Sequence, residues 1–181
     1  MRCKCCRDTF EVRYFNQKYC LSKMECIKAH VEHSKKLQKK AWEQKKKQIK
    51  DDLKTTTDYL KEAQYWFNKI IRERDKDKPC ISCGVSLQGR KYDAGHYFSQ
   101  GGHSAVRYHV NNCHAQCVKC NRDLSANLIE YRKGLIERIG EAKLMELYEL
   151  AYQERKYDIE ELKKMIQEYK KIYKDMTLDK E

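Results

Sequence analysis

Four cysteines in the middle of the chain have the type and spacing of metal ligands. They form two pairs, Cys80-x2-Cys83 and Cys117-x2-Cys120, and four thiolates spaced in this way match a closed tetrahedral Zn2+ site. Four buried thiols without metal would add little core to so small a segment. We therefore expect a structural zinc whose binding, of order 10 kcal/mol, serves as folding energy.

A second group of cysteines lies at the amino terminus and has a zinc-ribbon-like pattern. The segment 1–26 is too short to fold without a staple. Its pattern is Cys3-x2-Cys6-x13-Cys20-x5-Cys26, in which Cys5 could replace Cys3 or Cys6. The sequence thus predicts one or two zinc ions, and ten cysteines in a chain without an apolar leader favour metal over disulfides.

The residues between the two central cysteine pairs could hydrolyse a phosphodiester. Such a reaction needs a base for water and a cation for the phosphate charge. His96 is the candidate base, because an imidazole accepts protons near neutral pH. Asn112 would orient its ring, and Asp93 and Asn121 offer oxygen ligands to Mg2+ or Mn2+. His114 is either a further ligand of this cation or a packed residue.

This arrangement resembles the HNH nuclease motif, as a His96, Asn112, Asn121 variant on a ββα hairpin and helix. Many HNH sequences place an acidic residue or a second histidine directly before the base, whereas this chain has Gly95 there. The mechanism requires His96 and the carboxylate and amide groups to meet at one hydrated cation. If they lie on different faces, only a metal-stapled polyanion binder remains.

Longer segments resemble the NinG/Rap recombination proteins of lambdoid phages. They include Ile71-Arg-Glu-Arg-Asp75, Pro79-Cys-Ile-Ser-Cys-Gly84, Asp93-Ala-Gly-His-Tyr97 and His114-x-Gln116-Cys117-x2-Cys120-Asn121. The resemblance implies a structure-specific, divalent-metal-dependent endonuclease acting on branched double-stranded DNA such as Holliday junctions and D-loops. It also implies a phage-encoded protein of the bacterial cytoplasm, with host or phage recombination proteins as partners.

The charge of the chain favours an anionic partner. The net charge is +12, and residues 27–50 hold nine lysines against two glutamates. Such a run is commonly only a solvated helix face. Beside a nuclease core we expect phosphate contacts that read no bases, made by Arg2, Lys4, Arg7, Arg13, Lys35, Lys36, Lys39, Lys40, Lys45, Lys46 and Lys47.

To bring the predicted zinc ligands and catalytic residues together, the chain needs an α+β fold. We expect a small zinc-stapled ββα-metal core flanked by long helices. We predict four regions: a zinc-ribbon-like module (1–26), a basic helical segment (27–75), the HNH core (76–134) and a helical hairpin (135–181). Residues 55–58 could cap a helix. Strands are expected in Arg90 to Phe98 and Ala105 to Val110, with a helix from about 118.

The last region is predicted to contain a helix at 135–152 and a second helix starting at a capping box of Asp158 and Glu161. An apolar stripe from Ile159 to Met176 either packs on another helix or forms a homodimer seam. Paired cuts in a symmetric junction would need two active sites, which favours a homodimer.

Two other functions fit the same sequence. The chain could be a zinc-dependent protein that binds or remodels branched DNA without cutting it, or its zinc modules and basic helix could bind structured RNA. No run of about 18 apolar residues is present, so we expect no membrane partner.

Overall fold

The computed structural model describes residues 1–178, and the chain forms two compact units, Met1–Lys54 and Thr55–Glu181. It is a mixed α+β protein that is mostly helical, with one two-stranded sheet. Within the described residues, no helix is both long enough and apolar enough to cross a membrane.

The first unit consists of an irregular cysteine-rich segment followed by one long helix. Helix α1 spans Met24–Asp52, and Cys26 is its buried residue. Trp42 in the same helix is 59% exposed. The small core of this unit consists of Cys3, Tyr19 and Cys26, so the predicted solvated basic helix is observed.

The second unit begins with helix α2, Thr56–Arg74. Thr55 accepts a hydrogen bond from the Asp58 amide, and the Asp58 carboxylate accepts one from the Thr55 amide. This capping box satisfies two amides at the start of the helix, those of Thr55 and Asp58. The inward face of α2 buries Tyr59, Ala63, Phe67 and Ile71.

The sheet is an antiparallel hairpin of β1 (Tyr92–His96) and β2 (Cys113–Cys117). The predicted second strand, Ala105 to Val110, is wrong. Val106 is fully buried among Phe98, Leu144 and Leu147, and it reaches them from a short 3-10 turn, Ser104–Val106. The alternation of apolar and polar residues predicts a strand here, but the observed turn is the conformation that buries the Val106 side chain.

The helix predicted from about 118 begins as a π-helical segment, Lys119–Asp123, and continues through a 3-10 turn, Ser125–Asn127. Helix α3 (Leu128–Ile139) follows. The predicted single helix at 135–152 is interrupted, because Gly140 has φ +83° and separates α3 from α4 (Glu141–Ala151).

Helix α5 spans Ile159–Leu178, and the Glu161 amide donates to Asp158 at 2.7 Å, as the capping pattern predicts. Its stripe packs on α2, where Leu162 and Ile166 are buried against Tyr59 and Ala63. Of the two interpretations of this stripe, contact with another helix is therefore observed.

Candidate metal centres and nucleic-acid interface

The central cysteine cluster has the geometry of a zinc site. The sulfur atoms of Cys80, Cys83, Cys117 and Cys120 all lie within 4.8 Å of one another. Tetrahedral Zn–S bonds of about 2.3 Å place neighbouring sulfurs about 3.8 Å apart, and Cys83 and Cys117 are 3.8 Å apart. These residues fit a structural zinc.

Backbone amides donate to the sulfurs of this cluster. The Cys117 amide lies 3.3 Å from the sulfur of Cys80, and the Cys120 amide lies 3.4 Å from that of Cys117. The side chain of Asn127 donates to Cys120 at 3.6 Å. Such bonds stabilise thiolates and orient them for a metal.

The amino-terminal cluster has the same character. Its members are Cys3, Cys6, Cys20 and Cys26, again with all sulfurs within 4.8 Å. The separations are 3.7 Å for Cys3 to Cys26 and 3.8 Å for Cys6 to Cys20. Cys5 lies outside this group and is exposed, which selects Cys3 and Cys6 as ligands.

Asp93 and Asn121, the two predicted oxygen ligands of a catalytic cation, are in contact with each other. The Nδ2 atom of Asn121 donates to Asp93 Oδ2 at 2.9 Å. Arg122 also binds this carboxylate, with Nε and Nη2 each 2.8 Å from one oxygen. The hydrogen bond from Arg122 lowers the pKa of Asp93, so the carboxylate is charged and paired with a guanidinium.

His96 lies on the other face of the hairpin. It is three residues after Asp93 on β1, and side chains an odd number apart on a strand point to opposite faces. His96 is paired with Cys113, and its ring lies 6.2 Å from that of Phe67 on α2. The structure thus separates the predicted base from the predicted ligands.

The His96 ring is held by protein groups. Its Nε2 donates to the Arg107 carbonyl oxygen at 3.1 Å, which leaves Nδ1 as the acceptor for the Gln100 amide at 3.2 Å. Burial lowers the pKa of His96 to about 4. The ring is therefore neutral at pH 7, but its lone pair is already occupied.

Asn112 does not contact the ring that it was expected to orient. It is fully buried, accepts from the Phe98 amide at 2.8 Å, and donates to the carbonyls of Phe98 and Val106 at 3.0 Å. The side chain thereby fixes the loop that leaves β1 after His96. Its observed contacts are structural.

His114 is packed in an ion-pair network. Its Nδ1 lies 2.9 Å from Arg74 Nη2, and its Nε2 lies 3.3 Å from the Asn111 carbonyl. The neighbouring Asp75 is fully buried and accepts from the Ala115 amide. Of the two predicted roles of His114, the geometry matches the packed residue, because neither ring nitrogen faces Asp93.

Crowding by the Gln116 side chain explains why position 95 is a glycine. An added Cβ would lie 2.2 Å from Gln116 Oε1 and 3.0 Å from Gln116 Cβ. Gln116 is itself fully buried and donates to Ser82 and Ala126. The acidic residue or histidine of many HNH sequences has no room here.

Asp93 lies in a groove with a volume of about 590 Å3. The groove is bounded by α2, β1, the start of the π-helical segment and α5. Five cations line it, and we call it the basic groove: Lys69, Arg72, Arg90, Lys91 and Arg122, with Glu73, Asp93, Tyr92, Val118 and Tyr173. The cations outnumber the carboxylates, so the groove suits an anion.

The groove cations form no continuous pattern in the sequence. Lys69 and Arg72 precede the predicted core at 76–134, whereas Arg90, Lys91 and Arg122 lie within it, so only the fold brings them together. The eleven arginines and lysines predicted to bind DNA are all exposed in the first unit.

Comparison with known proteins establishes the family. The family model described as Bacteriophage Lambda NinG protein matches residues 1–181. The chain belongs to the NinG family. It is 38% identical to protein ninG of Escherichia phage lambda over 97% of this chain and 92% of that protein.

Two further NinG proteins are similar over nearly their whole length. Protein ninG of Salmonella phage P22 is 38% identical, covering 97% of this chain and 93% of the relative. Protein ninG of Escherichia phage 933W is 36% identical, covering 97% and 92%. No solved structure matches the chain significantly.

Proposed function

We propose that this NinG-family chain binds branched DNA during phage recombination, and the basic groove carries this proposal. The position of His96 on the other face of the hairpin meets the condition under which only a polyanion binder remains of the predicted mechanism. Divalent-metal-dependent cutting is therefore a second candidate function. It is favoured by the contact of Asn121 with Asp93, which lines the groove, and it would require a rearrangement that brings a base to a cation held there.

Two surfaces support DNA binding. The basic groove presents five cations in a concave surface, which concentrates positive potential on one backbone segment. Helix α1 presents its lysines to solvent along 29 residues. Contacts to phosphates position a duplex without reading its sequence, as a protein that recognises branches requires.

The metal-ligating chemistry of Asp93 and Asn121 favours cleavage. Carboxylate and amide oxygens suit Mg2+ or Mn2+, and such a cation would stabilise phosphate charge and lower the pKa of bound water. Asn121 now directs Nδ2 at Asp93, and Arg122 covers the carboxylate. Ligation therefore requires the amide to turn and the guanidinium to leave.

The separation of His96 from Asp93 argues against a single pocket formed by all the predicted catalytic groups. For His96 to act as the base, the Gln100 amide and the Cys113 thiol, 3.4 Å from Nδ1, must first release this nitrogen. Catalytic contacts are often formed only with substrate present. A cleavage assay of a His96 variant is therefore the test of whether His96 is the base.

The decisive experiment uses labelled four-way, flap and linear DNA with Mg2+ or Mn2+. We expect Asp93→Asn to abolish cutting and retain junction binding, while the matched exposed-carboxylate control Asp123→Asn cuts normally. Loss of cutting in a folded His96→Ala variant supports the base role, and unimpaired cutting excludes it. Wild-type binding without cutting supports a remodelling protein, and preference for RNA supports the RNA alternative.

A further inference from the structure

A cation and three aromatic rings form a surface cluster between α2 and α5. Lys69 Nζ lies 5.0 Å from the ring centroid of Tyr65, 4.8 Å from that of Trp66 and 4.9 Å from that of Tyr173. The rings of Tyr65 and Trp66 meet edge to face at 5.3 Å. We call these four residues the aromatic platform.

The platform is open to solvent at Tyr65. This tyrosine is 52% exposed, whereas Trp66 packs partly against the α2–α5 core. A core function accounts for Trp66 but not for a tyrosine ring held at the surface by a lysine and a neighbouring ring.

The platform is continuous with the basic groove. Lys69 and Tyr173 belong to both, and Arg72 lies one helical turn after Lys69 on α2. A nucleic-acid strand whose phosphates lie in the groove can therefore bring an adjoining base to the platform.

A stacking surface beside phosphate-binding cations is the usual means of holding unpaired nucleotides, since every base has a π face. Bases within a duplex are stacked on their neighbours, but bases at a branch can leave the stack. We propose that the aromatic platform binds an unpaired base at the branch point of DNA whose phosphates occupy the basic groove. This inference rests on the proposed function and gives it a recognition element.

The test compares a forked DNA carrying unpaired 2-aminopurine at the branch with a fully paired duplex of equal length. The full-length chain is assayed for affinity and for 2-aminopurine fluorescence. We expect Tyr65→Leu to reduce the preference for the fork by at least about fivefold, the lower end of what one stacked base contributes. Affinity for the duplex should not change.

Two controls define the result. Tyr65→Phe keeps the ring and should keep both the preference and the fluorescence change. Tyr152→Leu removes a tyrosine that is 76% exposed outside the platform and should have no effect.

Two outcomes overturn the inference alone: an undiminished preference in Tyr65→Leu, or an equal loss on fork and duplex. A larger fluorescence change with an RNA fork overturns the assignment to DNA. A wild-type chain that binds no DNA overturns the proposed function and the inference together.

Discussion

At His96, burial favours the neutral imidazole and lowers its pKa to about 4, although the hydrogen bond to the Arg107 carbonyl acts in the opposite direction. An unfolded chain titrates its histidines near 6.5. Between these values the unfolded state binds the proton and the folded state does not, so the free energy of unfolding falls as pH falls from about 6.5 to about 4.

We predict that His96→Gln makes stability less dependent on pH. Between pH 7.5 and 5.0 the wild type should lose about 2 kcal/mol more than the variant, as linkage gives for this shift. Urea unfolding at both pH values measures the difference. If the wild type and His96→Gln lose the same free energy of unfolding, the His96 ring is protonated as easily in the folded state as in the unfolded state.

A second prediction at the scale of residues concerns the lack of room for a side chain at position 95. Gly95→Ala should lower the free energy of unfolding by about 1–3 kcal/mol, the usual cost of overpacking, because Gln116 occupies the site of the new methyl group. Gly101→Ala, where no atom lies within 4 Å of the added Cβ, is the control. Equal stabilities would mean that Gln116 moves aside freely.

At the scale of elements, we predict that zinc binding by the cysteine clusters stabilises the segments that contain them. Cys80→Ser should remove one zinc and unfold the second unit, because metal binding supplies of order 10 kcal/mol to such a site. Zinc content by plasma mass spectrometry and helical circular dichroism measure both effects. Cys5→Ser should keep two zinc ions per chain, and a loss of metal in this control would contradict the ligand set.

The sequence predicts the helices better than the hairpin. Capping residues located the starts of α2 and α5, and the spacing of the cysteines located both clusters. The second strand was misplaced because local alternation cannot show that Val106 is buried by α4.

The interruption between α3 and α4 was missed because one glycine in a helical pattern does not reveal a positive φ. The candidate site could be predicted in part. Motif spacing predicted that Asp93 and Asn121 lie close together. The alternation of side chains along β1 already places Asp93 and His96 on opposite faces, a consequence that a motif match does not consider. That Arg122 covers the carboxylate depends on long-range packing and could not be predicted.

For the whole molecule, positive charge is divided between α1 and the basic groove. Neutralising Lys45, Lys46 and Lys47 together by glutamine should reduce the slope of log affinity against log salt by about 2–3, as each duplex phosphate contact contributes about 0.9. Filter binding over a salt series measures the slope. The control is Lys164, Lys171 and Lys174 changed to glutamine, and an equal reduction there would indicate a general charge effect.

The capping box places a locally encoded helix start at the boundary between the two units. Thr55 and Asp58 each accept a hydrogen bond from the amide of the other, and Thr55 is the first residue of the second unit. A gene crossover at this codon would therefore keep both capping residues together, whichever residues precede them.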